Sequence, residues 1–138
     1  MTNHAITPPA IQAMIEALCK ALPDLQAIYL FGSQANGDAG PDSDIDLAIL
    51  TEAPRDSVKL WELASDLALI SGKHVDLLDL RATNTVMQYQ VITTGERIWT
   101  TGSSAALYES FILSEKTRLD EARAGLLQDI AARGTVHG

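Results

Sequence analysis

Residues 25–50 read LQAIYLFGSQANGDAGPDSDIDLAIL, and this stretch decides the fold. An apolar run, Leu25 to Phe31, ends at Gly32-Ser33. Ten further residues, 34–43, carry glycine, proline and polar side chains. A second apolar run then starts, Ile45 to Leu50, with Asp44 and Asp46 at its head. Short apolar runs bounded by turn residues read as buried strands. The two strands therefore flank a polar loop that gathers Gly32, Ser33, Asp44 and Asp46 at one place.

Each of these residue types points to a chemistry. Gly32 has no Cβ, so an anionic group can come close to the backbone. Ser33 adds a hydroxyl, and the residues after it can form a short helical turn whose exposed N–H groups attract phosphate. Asp44 and Asp46 are two apart, so on a strand they share a face. Their Cα atoms would be roughly 7 Å apart, and two carboxylates at that spacing repel unless a cation lies between them. Mg²⁺ suits the pair, because it takes oxygen ligands and completes its shell with water and phosphate oxygens. A third carboxylate is available in the apolar run His74 to Leu80. There Asp76 can join the other two if its strand lies beside theirs, about 4.8 Å away. Three carboxylates can hold two ions about 3.5–4 Å apart. Asp79 lies three positions from Asp76, so a regular strand points it to the other face, and we read it as structural or solvent-facing.

Two other readings of the loop fail. Asp42, Asp44 and Asp46 imitate the first ligands of a calcium-binding EF-hand loop. That loop needs Gly at its sixth position and Glu at its twelfth, where this chain has Leu47 and Ala53. The loop is not a Walker phosphate loop either, since no Gly-Lys-Ser or Gly-Lys-Thr occurs.

The remaining elements follow from periodicity and punctuation. Thr7 caps a helix begun by Pro8 and Pro9, with Ile11, Met14, Ile15, Leu18 and Leu22 at helical spacing. A second helix is predicted over 58–70, closed by Gly72. A third and shorter one covers 83–93, an edge strand 97–100, and a long final helix 107–132 with Phe111, Leu119, Ala122, Leu126 and Ile130 as apolar anchors. Helix-strand-strand-helix-strand order predicts an α+β domain, a small mixed sheet flanked by helices. We divide it into a core over 1–103 and a C-terminal helix and tail over 104–138 that packs on that core or on a partner.

The bulk properties narrow the class. The 138 residues carry 18 acidic and 10 basic side chains, a net charge of −8. The basic residues are scattered, so no nucleic-acid-binding patch is expected. Cys19 is the single cysteine, so no internal disulfide can form. No leader-like or membrane-spanning stretch is evident, and a cytoplasmic location is expected. Among weaker candidates, Arg81 either reaches the nucleotide or caps its strand on the surface, and Arg55 and Lys59 either neutralise phosphate or are solvated helix residues. No metal role is assigned to His4, His74 or His137. Trp61 and Trp99 are expected to pack in the core or an interface.

Gly32-Ser33, ten residues, Asp44-Ile45-Asp46 and a later Asp76 in Val-Asp-Leu together resemble the polymerase-beta-like nucleotidyltransferases, and within them the minimal nucleotidyltransferase (MNT) group. Ser43 and Leu47 fit the same pattern. The likeness covers residues 10–100 in element order, with sharp motifs at 32–47 and 75–77. It implies Mg²⁺-dependent transfer of a nucleoside monophosphate from a triphosphate to a hydroxyl, with two ions held by Asp44, Asp46 and Asp76. Asp76 would hold the catalytic ion. The triphosphate would lie on Gly32, Ser33 and Ser43. Small members of this group resemble the antitoxin half of a toxin–antitoxin pair. That implies ATP as substrate, a tyrosine of a HEPN-domain ribonuclease toxin as acceptor, and a hetero-oligomer with that toxin. The alternatives are an antitoxin that only covers its toxin, and transfer to a small molecule such as an aminoglycoside.

Overall fold

The computed structural model describes residues 7–36 and 43–137, with the side chains of Ser33, Asn36 and 133–137 excepted. Helix α1 runs Pro8–Ala21, and the Thr7 side chain accepts the Ala10 N–H as its N-cap. Strand β1 (Ala27–Phe31) leads into the one-turn helix α2 (Ser33–Asn36). Strand β2 (Ile45–Leu50), helix α3 (Ser57–Ser71) and strand β3 (Val75–Asp79) follow. After a 3-10 turn over Leu80–Ala82 come helix α4 (Thr85–Thr94), strand β4 (Glu96–Thr100) and helix α5 (Ser104–His137). The element order is the expected one. Gly72 closes α3 in the left-handed conformation, φ +71°, where glycine has no Cβ penalty.

The strands form one mixed sheet in the order β3-β2-β1-β4. β1 is antiparallel to both β2 and β4, whereas β2 and β3 are parallel. A parallel pair needs a crossover, which α3 supplies. The carboxyl end of β1 and the amino ends of β2 and β3 consequently share one end of the sheet.

Both faces are covered, which makes β1 and β2 almost continuously buried. On one face Ile28, Leu30, Ile45, Leu47, Ile49 and Val75 pack with Met14, Leu18, Leu63 and Leu67 of α1 and α3. On the other face Tyr29, Ala48 and Leu50 meet Val91 of α4 and Ala105, Tyr108 and Ile112 of α5.

Helix α5 departs from its expected anchoring. Its buried residues are Ala105, Tyr108 and Ile112, close to its start. Phe111, Leu119, Leu126 and Ile130 are instead 40–60% exposed. The apolar spacing was read correctly as helix, but among the described residues no sheet or helix covers the stripe beyond the first turns.

Candidate functional site

The end of the sheet where β1 finishes and β2 and β3 begin holds the acidic residues. Parallel pairing sets Asp46 opposite Asp76 and Ile45 opposite Val75. The Ile45 N–H donates to the His74 carbonyl at 2.9 Å, which fixes that register. Asp44 therefore stands beside His74. Asp44 and Asp76 are exposed and Asp46 is partly buried.

His74 joins the acids. Its Nδ1 lies 3.5 Å from Asp44 Oδ2 and 3.8 Å from Asp76 Oδ1. Asp44, His74 and Asp76 each offer one ligand atom, all within 4.8 Å of one another. Sequence spacing gave His74 no partner, because the register of two strands 30 residues apart in the chain brings it there. Asp46 completes the group from the sheet side. Burial raises its carboxyl pKa above 3.8, and the charges of Asp76 and Asp44 raise it further, only partly opposed by His74. A carboxylate under that pressure is poised to gain from a cation.

Gly32 is tied to Asp46 by sterics. It adopts φ +71°, and a Cβ built there would collide with Asp46 Oδ2. The backbone thus passes directly against the carboxylate, as only glycine permits. The Ala35 N–H donates to the Gly32 carbonyl at 3.1 Å, turning the chain into α2 at Ser33. The Ser33 side chain lies outside the described part. Ser43, partly buried, immediately precedes Asp44. Gly32, Asp44, Asp46 and Asp76 are thus gathered at one end of the sheet.

Several other candidates belong to the opposite end. Arg81 donates through Nε to the Thr51 carbonyl at 2.8 Å and through its terminal nitrogen to Gln26 Oε1 at 3.2 Å. Arg55 is ion-paired to Asp24. Thr51 is five residues along β2 from Asp46, roughly 16 Å at strand rise. Arg55 and Arg81 therefore tie the far end of the sheet together, away from the acid cluster. Asp79, buried to 3% exposure, accepts from the backbone N–H of Arg55 at 2.8 Å and of Arg81 at 3.0 Å. Its reading as a structural residue holds, in a buried place.

Of the two places expected for Trp61, core or interface, the fold excludes the core. Trp61 is 71% exposed, not packed away. It lines a groove of about 480 Å³ between α3 and β3, with Leu60, Ala64 and Ala68 on one side and His74–Leu77 on the other. The groove reaches Asp76.

Residues 13–103 match the family described as polymerase beta, nucleotidyltransferase. The chain belongs to the polymerase beta nucleotidyltransferase family. Among members of that family, it is 38% identical over 119 residues to the protein adenylyltransferase MntA of Shewanella oneidensis, covering 86% of each protein. A crystal structure of a toxin–antitoxin with AMP-PNP matches with a TM-score of 0.78 and 37% identity, covering 86% of this chain and 96% of that one. A tri-AMPylated Shewanella oneidensis HEPN toxin in complex with an MNT antitoxin matches at a TM-score of 0.73 and 36% identity, over 88% and 95% of the two chains. The small mixed sheet with flanking helices is thus the fold of a nucleotidyltransferase, as the motif spacing implied.

Proposed function

We propose that this nucleotidyltransferase transfers AMP from ATP to a tyrosine hydroxyl of a cognate HEPN-domain toxin, the new bond to the α-phosphorus replacing the one to pyrophosphate, which leaves, and so acts as its antitoxin. The observation that carries this reading is the convergence of Asp44, Asp46 and Asp76 beside Gly32 on one sheet end, in a chain 38% identical to a protein adenylyltransferase. A protein that inhibited only by covering its partner would need neither the mutually repelling acids nor the glycine held against one of them.

The residues fit a divalent cation. Asp44 and Asp76 reach one point with His74 between them, and Asp46 beside them has its pKa raised first by burial and then by the charges of Asp76 and Asp44. For Mg²⁺, an oxygen-seeking ion, Asp44, Asp46 and Asp76 would be the ligands and His74 an outer contact. When bound, two such ions would supply charge neutralisation for the triphosphate and activation of the attacking hydroxyl. Gly32 and the start of α2 would seat the phosphates, with Ser33 and Ser43 offering hydroxyls. Asp76, on the outer strand, would face the incoming acceptor and help take its proton. Among the described residues, no helix is long and apolar enough to cross a membrane. A protein acting on a ribonuclease toxin would meet it in the cytoplasm, the location this reading carries with it.

The test incubates the chain with ATP, Mg²⁺ and the HEPN-domain protein encoded beside it, and weighs that protein by mass spectrometry. The expected result is the added mass of AMP on a tyrosine. The double substitution Asp44→Asn and Asp46→Asn removes it while circular dichroism stays unchanged. EDTA likewise stops transfer without unfolding the chain. Full neutralisation of the toxin by the double variant would overturn the enzymatic reading in favour of simple covering.

A further inference from the structure

β3 is the edge of the sheet, and α3 stands back from it to leave the Trp61 groove. The His74 carbonyl accepts from Ile45, so it points toward β2. Backbone groups alternate sides along a strand. The N–H and C=O of Val75 and Leu77 therefore face outward, along the groove. Side chains alternate as well: Val75 and Leu77 pack toward α1 and α3, while Asp76, in register with Asp46, belongs to the opposite face.

These alternations specify an occupant. A polypeptide strand laid against β3 would continue the sheet by hydrogen-bonding to Val75 and Leu77. Its side chains would then sort by parity. One set would enter the apolar groove against Trp61, Leu60, Ala64 and Ala68. The other set would stand on the Asp46–Asp76 face, where a hydroxyl meets the acids. A small molecule would use the groove or the acids but has no need of the exposed strand edge. The phosphate-facing glycine lies on the other flank of the acids, just past the end of β1, which leaves the β3 flank for the acceptor.

We propose that the β3 edge and the Trp61 groove form the acceptor-docking site, which takes an extended hydroxyl-bearing segment of the partner protein by strand addition. This rests on the proposed AMP transfer to a protein and names how that acceptor is held. Trp61 is a positioning residue: it fixes the segment through the groove-facing side chains and touches no reacting atom.

The experiment has two arms on the full chain, with the HEPN-domain protein encoded beside it as the probe. In the first, hydrogen–deuterium exchange is followed at Val75 and Leu77. Their amides exchange readily in the free chain and slow markedly in the complex; unchanged exchange overturns the proposal whether or not AMP is transferred. In the second, Trp61→Ala and Ser65→Lys are compared with wild type. Both side chains are at least partly exposed, so the fold is retained. Each raises KM for the acceptor about tenfold or more, as expected of an interface anchor, while calorimetric binding of Mg·ATP stays unchanged. Weakened ATP binding with unchanged acceptor KM would make the groove a nucleotide subsite and overturn the proposal. So would a wild-type dimer that Ser65→Lys dissociates, which would assign the edge to a second copy of this chain. If wild type transfers nothing yet Val75 and Leu77 are protected, AMP transfer falls and docking stands.

Discussion

Gly32 and Asp46 show how tightly single residues are coupled here. Gly32→Ala places a Cβ into the Asp46 carboxylate and forces a left-handed backbone on alanine. The conformational part alone costs about 1–2 kcal/mol. Displacing a reacting group by about an ångström costs on the order of a hundredfold in rate. We therefore expect Gly32→Ala to cut transfer at least that much, measured by AMP incorporation, and to lower Tm. Asp46→Asn should do the reverse to stability. Because the Asp46 pKa is raised above 3.8, the folded chain holds a proton that the unfolded chain has already lost between that value and the raised one. Stability therefore falls as pH rises through the raised value, and the penalty is fully present at neutral pH. In metal-free protein, Asp46→Asn should raise Tm at pH 7, and the difference should vanish on acidification toward pH 3.8, as followed by thermal scans. That Gly32, Asp44 and Asp46 share one end of the sheet was legible in the sequence because they lie in one short run, 32–46, and Asp76 was legible beside them through the apolar run 74–80. His74 was not, since its neighbours come from strand register. Arg55 and Arg81 stayed open between a phosphate and a structural role because sequence alone does not tell which end of the sheet a loop residue joins.

At the level of elements, the turn after β3 depends on one buried acid. Asp79 satisfies two backbone N–H groups, from Arg55 and Arg81. Asp79→Ala leaves both without that acceptor and should cost about 2–3 kcal/mol in urea denaturation. Helix α5 behaves in the opposite way. From residue 124 to 132 all of its residues are exposed. Removing 124–138 should shift Tm by no more than about 2 °C, while circular dichroism loses the corresponding helical signal. A larger loss would show that the tail belongs to the core. Periodicity revealed each helix and strand, since a 3.6 or 2.0 repeat is a property of the segment itself. It did not reveal what covers an apolar stripe, and so the exposure of Trp61 and of Leu119 and Leu126 emerged only with the fold.

Across the whole molecule, two buried tyrosines link stability to alkaline pH. Burial pushes the Tyr29 hydroxyl up to about 12 from 10.0, aided by Glu109 and opposed by Arg97. Burial pushes the Tyr108 hydroxyl upward too, against the nearby Arg81 charge. Both phenols stay neutral in the fold after they would ionise in the unfolded chain. The stability they contribute is present below pH 10 and is lost as pH rises from 10 through 12. Tm should fall over that window in wild type and fall less steeply in Tyr29→Phe. The parallel β2–β3 pair has another consequence. Asp46 and Asp76 meet only after α3 has folded back along the sheet, so a nascent chain still short of residue 76 on the ribosome carries no assembled acid cluster. On the proposed function, a toxin already made would stay unmodified until synthesis had passed that point, a delay written into the order of the strands.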